Sequence, residues 1–163
     1  MREPLWTPSA GRAQSANITR FIAYVNRAHA LDIQTYAELY AWSVREPADF
    51  WATMWDFADI RHSRSYDTAL EDIRRFPGAR WFPGARLNFA QNLLRFRDDR
   101  TAFVFRGETQ RARRMSYAEL GDTVARLARS LRQLGVAPGD RVVGYMPNLM
   151  ETAVAMLAAR PGR

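Results

Sequence analysis

From residue 17 the apolar positions recur every three or four residues: Ile18, Phe21, Ile22 and Val25. That spacing puts them on one face of a helix, with Asn17 placed to cap it. Thr35 and Glu38 stand at the separation of a capping box, and Leu39, Trp42 and Ser43 follow on one face of a second helix. Pro47 suits the first position of a third helix, running to about Phe57. Phe50, Trp51, Met54, Trp55 and Phe57 make that helix apolar on most sides, as in a helix that is buried or meets a partner surface. Core packing explains such a pattern more simply than an aromatic cofactor box. Residues 1–16 read as a turn-rich surface segment. From Ser65 to Gly84 the periodicity lapses, and Pro77-Gly78 and Pro83-Gly84 punctuate a connector laid over another body. Three short helices and a long connector predict little core of their own, so residues 1–100 are expected to depend on a neighbouring domain for order.

The run Trp81 to Leu94 joins the two halves of this pattern. Two aromatics enter the Pro83-Gly84 turn, and Asn88 caps a short helix carrying Phe89, Leu93 and Leu94 on one face. The sequence predicts a buried turn. At Thr101 the period changes. Ala102-Phe103-Val104-Phe105 reads as a buried strand, and Gly107-Glu108 turns the chain into a polar edge strand ending near Met115. Ser116 and Glu119 form another capping box. Behind them Tyr117, Leu120, Val124, Leu127, Leu131 and Leu134 form one stripe, closed by Gly135. Pro138-Gly139-Asp140 leads into an apolar strand, Val142 to Met146. Pro147-Asn148 opens a last helix with Met150, Val154, Met156 and Leu157. The reading is α/β: a helical N-terminal cap over residues 1–100, then strand, helix, strand, helix over residues 101–163, the opening of a doubly wound sheet.

Composition changes this picture in two places. There is no cysteine, which removes disulfides and thiolate metal sites. All 24 basic residues are arginine and the net charge is +7. Such a chain can attract nucleic acid or anionic membrane. However, the arginines are spread along the sequence, and the densest groups, Arg95/Arg97/Arg100 and Arg111/Arg113/Arg114, lack the interleaved exposed aromatics of a single-strand platform. No specific nucleic-acid or membrane partner is therefore expected. No apolar run approaches the ~20 residues of a membrane span, and no signal-peptide pattern precedes the first helix, which reads as a cytoplasmic chain.

The motifs resemble a known family. Trp81-Phe82-Pro83-Gly84-Ala85-Arg86-Leu87-Asn88-Phe89-Ala90-Gln91-Asn92-Leu93-Leu94 is similar to a signature of acetoacetyl-CoA synthetases, within the AMP-forming, adenylate-forming ligases. Gln91 stands where the family leads one to expect glutamate, a position with no catalytic role attached. Leu5-Trp6-Thr7-Pro8-Ser9, Asn17-Ile18-Thr19-Arg20-Phe21, Tyr36 to Trp42, and Pro47 with Phe50-Trp51 resemble the family's N-terminal cap. Ser116-Tyr117-Ala118-Glu119-Leu120, Gly135-Val136 with Pro138-Gly139-Asp140-Arg141-Val142, and Tyr145-Met146-Pro147-Asn148 resemble the start of its adenylating domain. The resemblance implies a ligase that joins acetoacetate, ATP and CoA, with magnesium, to give acetoacetyl-CoA, AMP and pyrophosphate.

The parts of that chemistry are not legible in these residues. The family's phosphate loop ends in lysine and its mobile C-terminal domain carries another, and this chain contains no lysine. Gly78 and Gly84 lie in Pro-Gly turns rather than between a strand and a helix. His29 and His62 have no partner at ligand spacing. Glu71 and Asp72 are adjacent and read as a solvated face of a helix. No Gly-x-Ser-x-Gly elbow occurs. No catalytic, cofactor-binding or metal residue is assigned, and neither ATP, magnesium nor CoA is expected to bind these residues alone. Against the family, the ending Arg160-Pro161-Gly162-Arg163 reads as a truncation. It would leave the stripe Met150, Val154, Met156 and Leu157 with nothing further to pack against and the strand Val142–Met146 as an open edge. The expected partners are then a C-terminal remainder or a second copy of the chain. Small-molecule substrates would belong to the longer family member only. The alternative is a non-catalytic interaction module that binds a partner chain through its aromatic helix or, as the weaker form of that reading, nucleic acid non-specifically through its arginines.

Overall fold

The computed structural model describes residues 5–108 and 110–159; the Arg160-Pro161-Gly162-Arg163 ending lies outside the described residues. The chain divides into two compact units, Met1–Arg86 and Leu87–Arg163, a division that falls upstream of Arg100, where the sequence pattern changes.

The first unit begins with α1 (Ala10–Gln14), inside the segment expected to be turns. Ser9 caps it, its hydroxyl accepting from the Arg12 amide at 3.3 Å. In α2 (Asn17–His29) the cap is Ala16, and Asn17 is instead the first helical residue. The Thr19 hydroxyl donates to the Ala13 carbonyl at 2.7 Å, tying α1 to α2. After α2 the chain reverses through Ala30, at φ 51°. Asn26 holds that reversal from both sides, its amide donating to the Ile33 carbonyl at 2.8 Å and its oxygen accepting from the Ile33 amide at 2.9 Å. Helix α3 (Tyr36–Arg45) starts in the expected Thr35/Glu38 capping box, and α4 (Pro47–Phe57) has Pro47 in its first turn.

The expectation of little core in this region is corrected. Phe21, Val25, Ile33, Leu39 and Trp42 are buried together, with Phe50, Met54 and Phe57 packed against them. Phe21 meets the rings of Phe50 and Phe57 edge-on, at 5.7 and 5.0 Å between centroids. Such pairs contribute about 0.5–1.5 kcal/mol beyond area burial. The all-round aromatic pattern of α4 has a reason in packing, because the helix serves two surfaces. One side enters this core. Trp55 instead meets Tyr66 and Phe82 at 5.3 and 4.9 Å, and Trp51 meets Trp81 at 6.0 Å.

Those contacts pin the connector, which is an irregular hairpin. Strands β1 (Leu70–Glu71) and β2 (Arg80–Trp81) pair antiparallel, and Arg64 and Arg86 form a further bridge. The Trp81 stretch is a half-buried surface turn rather than a buried one, since Trp81 remains 42% exposed. Glu71 and Asp72 lie on this hairpin and not on a helix. Glu71 pairs with Arg80 at 3.0 Å, and Asp72 takes φ 43° beside Arg74.

The second unit opens with α5 (Phe89–Leu93), capped by Asn88, whose side chain accepts from the Gln91 amide at 2.9 Å. Ala90, not Phe89 or Leu93, is its buried residue. Strands β3 (Thr101–Phe105) and β4 (Arg113–Ser116) form an antiparallel hairpin with an irregularity between Thr101 and Phe103. Strand β3 is half-buried rather than buried. Helix α6 (Tyr117–Gln133) starts in the Ser116/Glu119 capping box, and Gly135, at φ 90°, follows its end. Helix α7 (Met150–Ala158) begins two residues after Asn148.

Here two expectations fail. The stripe on α7 does have a partner: Val154, Leu157 and Ala158 are buried with Leu120, Val124 and Ala128 of α6 and with Ala90. Only Met156 points away. The expected strand Val142–Met146 is not one: these residues form no regular element and pair with nothing among the described residues. Period-2 apolarity specifies which faces a strand presents, but a strand forms only where another edge supplies the ladder. The only sheets among the described residues are the two two-stranded hairpins.

Candidate functional site

The side chains singled out from the sequence are engaged structurally. His29 Nε2 lies 2.7 Å from the Thr53 hydroxyl, which itself donates to the Asp49 carbonyl at 2.7 Å. Thr53 is buried, and the imidazole lies against Trp42. This chain of bonds ties α2 to α4. His62 packs on Trp55, and its Nδ1 lies 2.9 Å from the Ile60 carbonyl. The two histidines are not brought together.

The Pro-Gly turns have no phosphate geometry. Gly84 needs its φ of 83°, and a Cβ there would meet the Asp67 carboxylate. An anion at that turn would face a carboxylate rather than a nest of amides. Gly78 is overlaid by the Arg75 side chain. No group of three or more His, Asp or Glu among the described residues could hold a metal ion.

The arginine group near residue 95 is different from its sequence reading in one respect. Phe96 does interleave it, with Arg95 and Arg100 over its ring at 5.0 and 4.4 Å. Yet Arg100 is also held by Asp98, with two bonds of 3.0 Å from Nε and one of 2.8 Å from Nη2. Arg97 lies 3.8 Å from Asp122, and its guanidinium fills the notch left by Gly121 on α6. Arg113 pairs with Glu151 at 2.9 Å, linking β4 to α7. The arginines brace the unit, and Phe96, which stays partly exposed, has Arg100 over its ring and meets the Tyr117 ring edge-on.

These pairs set an acid response. The side-chain hydrogen bond from Arg100 holds the Asp98 carboxyl below its usual range. Glu151 is lowered first by its own backbone amide and then by Arg113. Glu38 is lowered by the backbone amides of Gln34 and Thr35. A carboxyl depressed in the folded state contributes stability above its unfolded pKa and loses it as pH falls through the folded one. The thermal midpoint is therefore expected to decline from about pH 4 downward. Asp98→Asn should flatten that decline at a modest cost at neutral pH, because the pair is at the surface. Thermal melts of both proteins between neutral and acidic pH check this; an equally steep acid limb in the variant would contradict it.

What remains open is a surface. Residues 141–146 form no backbone hydrogen bond among the described residues. Val143 and Tyr145 are fully turned to solvent, at 90% and 107% exposure, whereas Val142 and Met146 are at 46% and 42%. Beneath this segment lies a groove of about 500 Å³, lined by Val142, Gly144 and Met146 on one side and by Thr152, Ala155 and Met156 of α7 on the other. Sequence periodicity identifies the segment, but it does not reveal that the segment lies across a groove from α7 without a ladder of its own. No helix among the described residues is long and apolar enough to cross a membrane.

Comparison with known proteins covers the same residues. Residues 36–93 match the family model described as acetyl-coenzyme A synthetase N-terminus, and residues 89–160 match that of AMP-binding enzymes. An acetoacetyl-CoA synthetase from Macaca fascicularis is 40% identical over 158 residues, 95% of this chain and 23% of that protein. A malonamoyl-CoA synthetase from Penicillium aethiopicum is 36% identical over 163 residues, 96% of this chain and 22% of that protein. The solved acetoacetyl-CoA synthetase from Streptomyces lividans superposes with a TM-score of 0.85 at 44% identity, covering 98% of this chain and 25% of that one. The chain thus spans about a quarter of the length of the relatives it matches.

Proposed function

We propose that this chain, which matches the N-terminal region of the acetoacetyl-CoA synthetases in sequence and fold, supplies the cap and the opening of the adenylating domain of an acetoacetate–CoA ligase, and has no ligase activity by itself. The observation that carries this reading is the asymmetry of the match. Nearly all of this chain aligns, with only a quarter of each relative.

The chemistry agrees with that division of labour. In the proposed reaction a carboxylate attacks ATP, pyrophosphate leaves, and the CoA thiol then displaces AMP from the acyl adenylate. Charge develops on phosphate oxygens, which requires preorganised amide donors and cations. The residues present do not fit ATP, magnesium or CoA. There is no lysine, the Gly84 turn faces the Asp67 carboxylate, and the arginines at Arg97, Arg100 and Arg113 are committed to Asp122, Asp98 and Glu151. Those groups are assigned to polypeptide that the relatives contain beyond the matched quarter. The names of the relatives also bound the acid. Acetoacetyl and malonamoyl groups are both short acyl chains with a second carbonyl at the 3-position. The substrate class proposed is accordingly a short 3-carbonyl carboxylate, with acetoacetate its first candidate.

The alternative of a freestanding module that binds through α4 is less well supported. Phe50, Met54, Trp55 and Phe57 are spent on packing within the first unit. The purified 163-residue chain is expected to give no acetoacetate-dependent exchange of pyrophosphate into ATP. Exchange above an enzyme-free blank would overturn the proposal.

A further inference from the structure

We infer that the outer face of α6, carried by Arg126, Arg129 and Arg132, is a docking site for an acidic amphipathic helix of another protein. The inference goes beyond the functional reading above and does not depend on it.

The face is set apart by what its arginines lack. Elsewhere in the second unit Arg97, Arg100 and Arg113 are each answered by an acid of the chain, Asp122, Asp98 and Glu151. On α6 Arg126 bonds to the Thr123 hydroxyl at 3.1 Å. Among the described residues neither it nor Arg129 nor Arg132 forms an ion pair. All three are exposed. Arg132 stands in the last turn, where a cation suits the negative end of the helix. Arg126 and Arg129 are mid-helix and have no such reason. Three residues apart, they are neighbours of like charge, which an isolated helix does not favour. An anionic partner sets an attraction against that repulsion at both positions.

The face is also shaped. A groove of about 480 Å³ is lined by Asp122, Ala125, Arg126, Arg129 and Ser130. Ala125 and Ser130 are small side chains that let a neighbouring helix approach closely. Asp122, the one acid in this lining, is already paired with Arg97 at 3.8 Å. One turn beyond Ser130, Leu134 is 81% exposed. The row Arg126, Ser130, Leu134 thus passes from a cation to an apolar side chain along one ridge.

That ridge selects the occupant. A helix with acids and an apolar residue on one face matches both of its ends. A phosphate backbone offers nothing to Leu134. A membrane surface requires a broad apolar face, and Leu134 is the one large apolar side chain exposed along α6 and its cap. In a two-fold pair of identical copies, arginine would face arginine.

The test uses the purified 163-residue chain at physiological salt and a fluorescent synthetic helix of about four turns, with glutamates at i, i+3 and i+7 and a leucine one turn beyond. Anisotropy should show this peptide bound at least about tenfold more tightly than a scrambled peptide of the same composition. Arg126→Glu combined with Arg129→Glu should lower that affinity at least about tenfold. A peptide with lysines in place of the glutamates should bind this double variant better than it binds the parent, which also shows that the variant is folded. Arg111→Glu combined with Arg141→Glu makes an equal change of charge at exposed sites of the same unit. It should leave the affinity within about threefold, because distant charges are screened. Equal binding of the scrambled peptide, equal losses from the two double variants, or no gain of the lysine peptide on the first of them overturns the site. Duplex DNA and phosphatidylglycerol vesicles are measured in parallel. Either one bound more tightly than the peptide, and released by the same Arg126 and Arg129 substitutions, would make phosphate the ligand and overturn the inference.

Discussion

Phe21→Ala is expected to destabilise the first unit by about 3–5 kcal/mol, the range for removing a buried phenylalanine. The ring is 2% exposed, and it is the largest side chain with so little exposure. It sits edge-on to both Phe50 and Phe57, so the substitution removes two aromatic contacts together with the packing of α2 on α4. Neighbouring rings are themselves locked, Phe50 against Trp42 and Phe57 against Tyr24, which limits how far the cavity can collapse. The measurement is unusually clean. All five tryptophans, at positions 6, 42, 51, 55 and 81, belong to the first unit, so tryptophan fluorescence during denaturation follows that unit alone. A loss below about 1 kcal/mol, the typical surface-to-average range, would contradict the assignment of Phe21 as the centre of this core.

In the second unit, Leu157→Ala should cost about 2–5 kcal/mol while Met156→Ala stays within about 0.5 kcal/mol. The two residues are adjacent on α7. Leu157 is buried with Leu120, Val124 and Ala128, and Met156 is 54% exposed over the groove. Native-state amide exchange in α6 reads the difference without needing a tryptophan in this unit. Equal effects from the two substitutions would mean that α7 does not pack on α6 as described.

The capping chemistry was legible because it is local. Thr35 with Glu38, Ser116 with Glu119, Pro47 at the start of α4 and Asn88 before α5 all act within one turn of their own helix. Asn17 misled for the same reason. It is a good cap residue, yet with the Thr19 hydroxyl bonded to Ala13 and the α1 helix before it the cap falls at Ala16 and the helix starts at Asn17. Long-range choices were not legible. Nothing within a turn of Trp55 says that it will meet Phe82, and nothing near Leu157 says that α6 will be its partner rather than a further layer. The segment 142–146 shows the converse. Its pattern is that of a strand, but pairing is a property of two segments, and no described segment pairs with it. The family could be read because its signature, Trp81 to Leu94, is contiguous. The absence of a legible catalytic site is a statement about these residues, which correspond to a quarter of the relatives' length.

The central claim, that this chain forms the N-terminal part of an acetoacetate–CoA ligase, is tested most directly by joining it to the portion of the Streptomyces lividans protein beyond the matched quarter, as one polypeptide. Pyrophosphate–ATP exchange is then measured with acetoacetate and, for comparison, with acetate. The account predicts acetoacetate-dependent exchange from the joined protein and none from the 163-residue chain. A joined protein that is folded and monodisperse but gives no exchange with acetoacetate would contradict it.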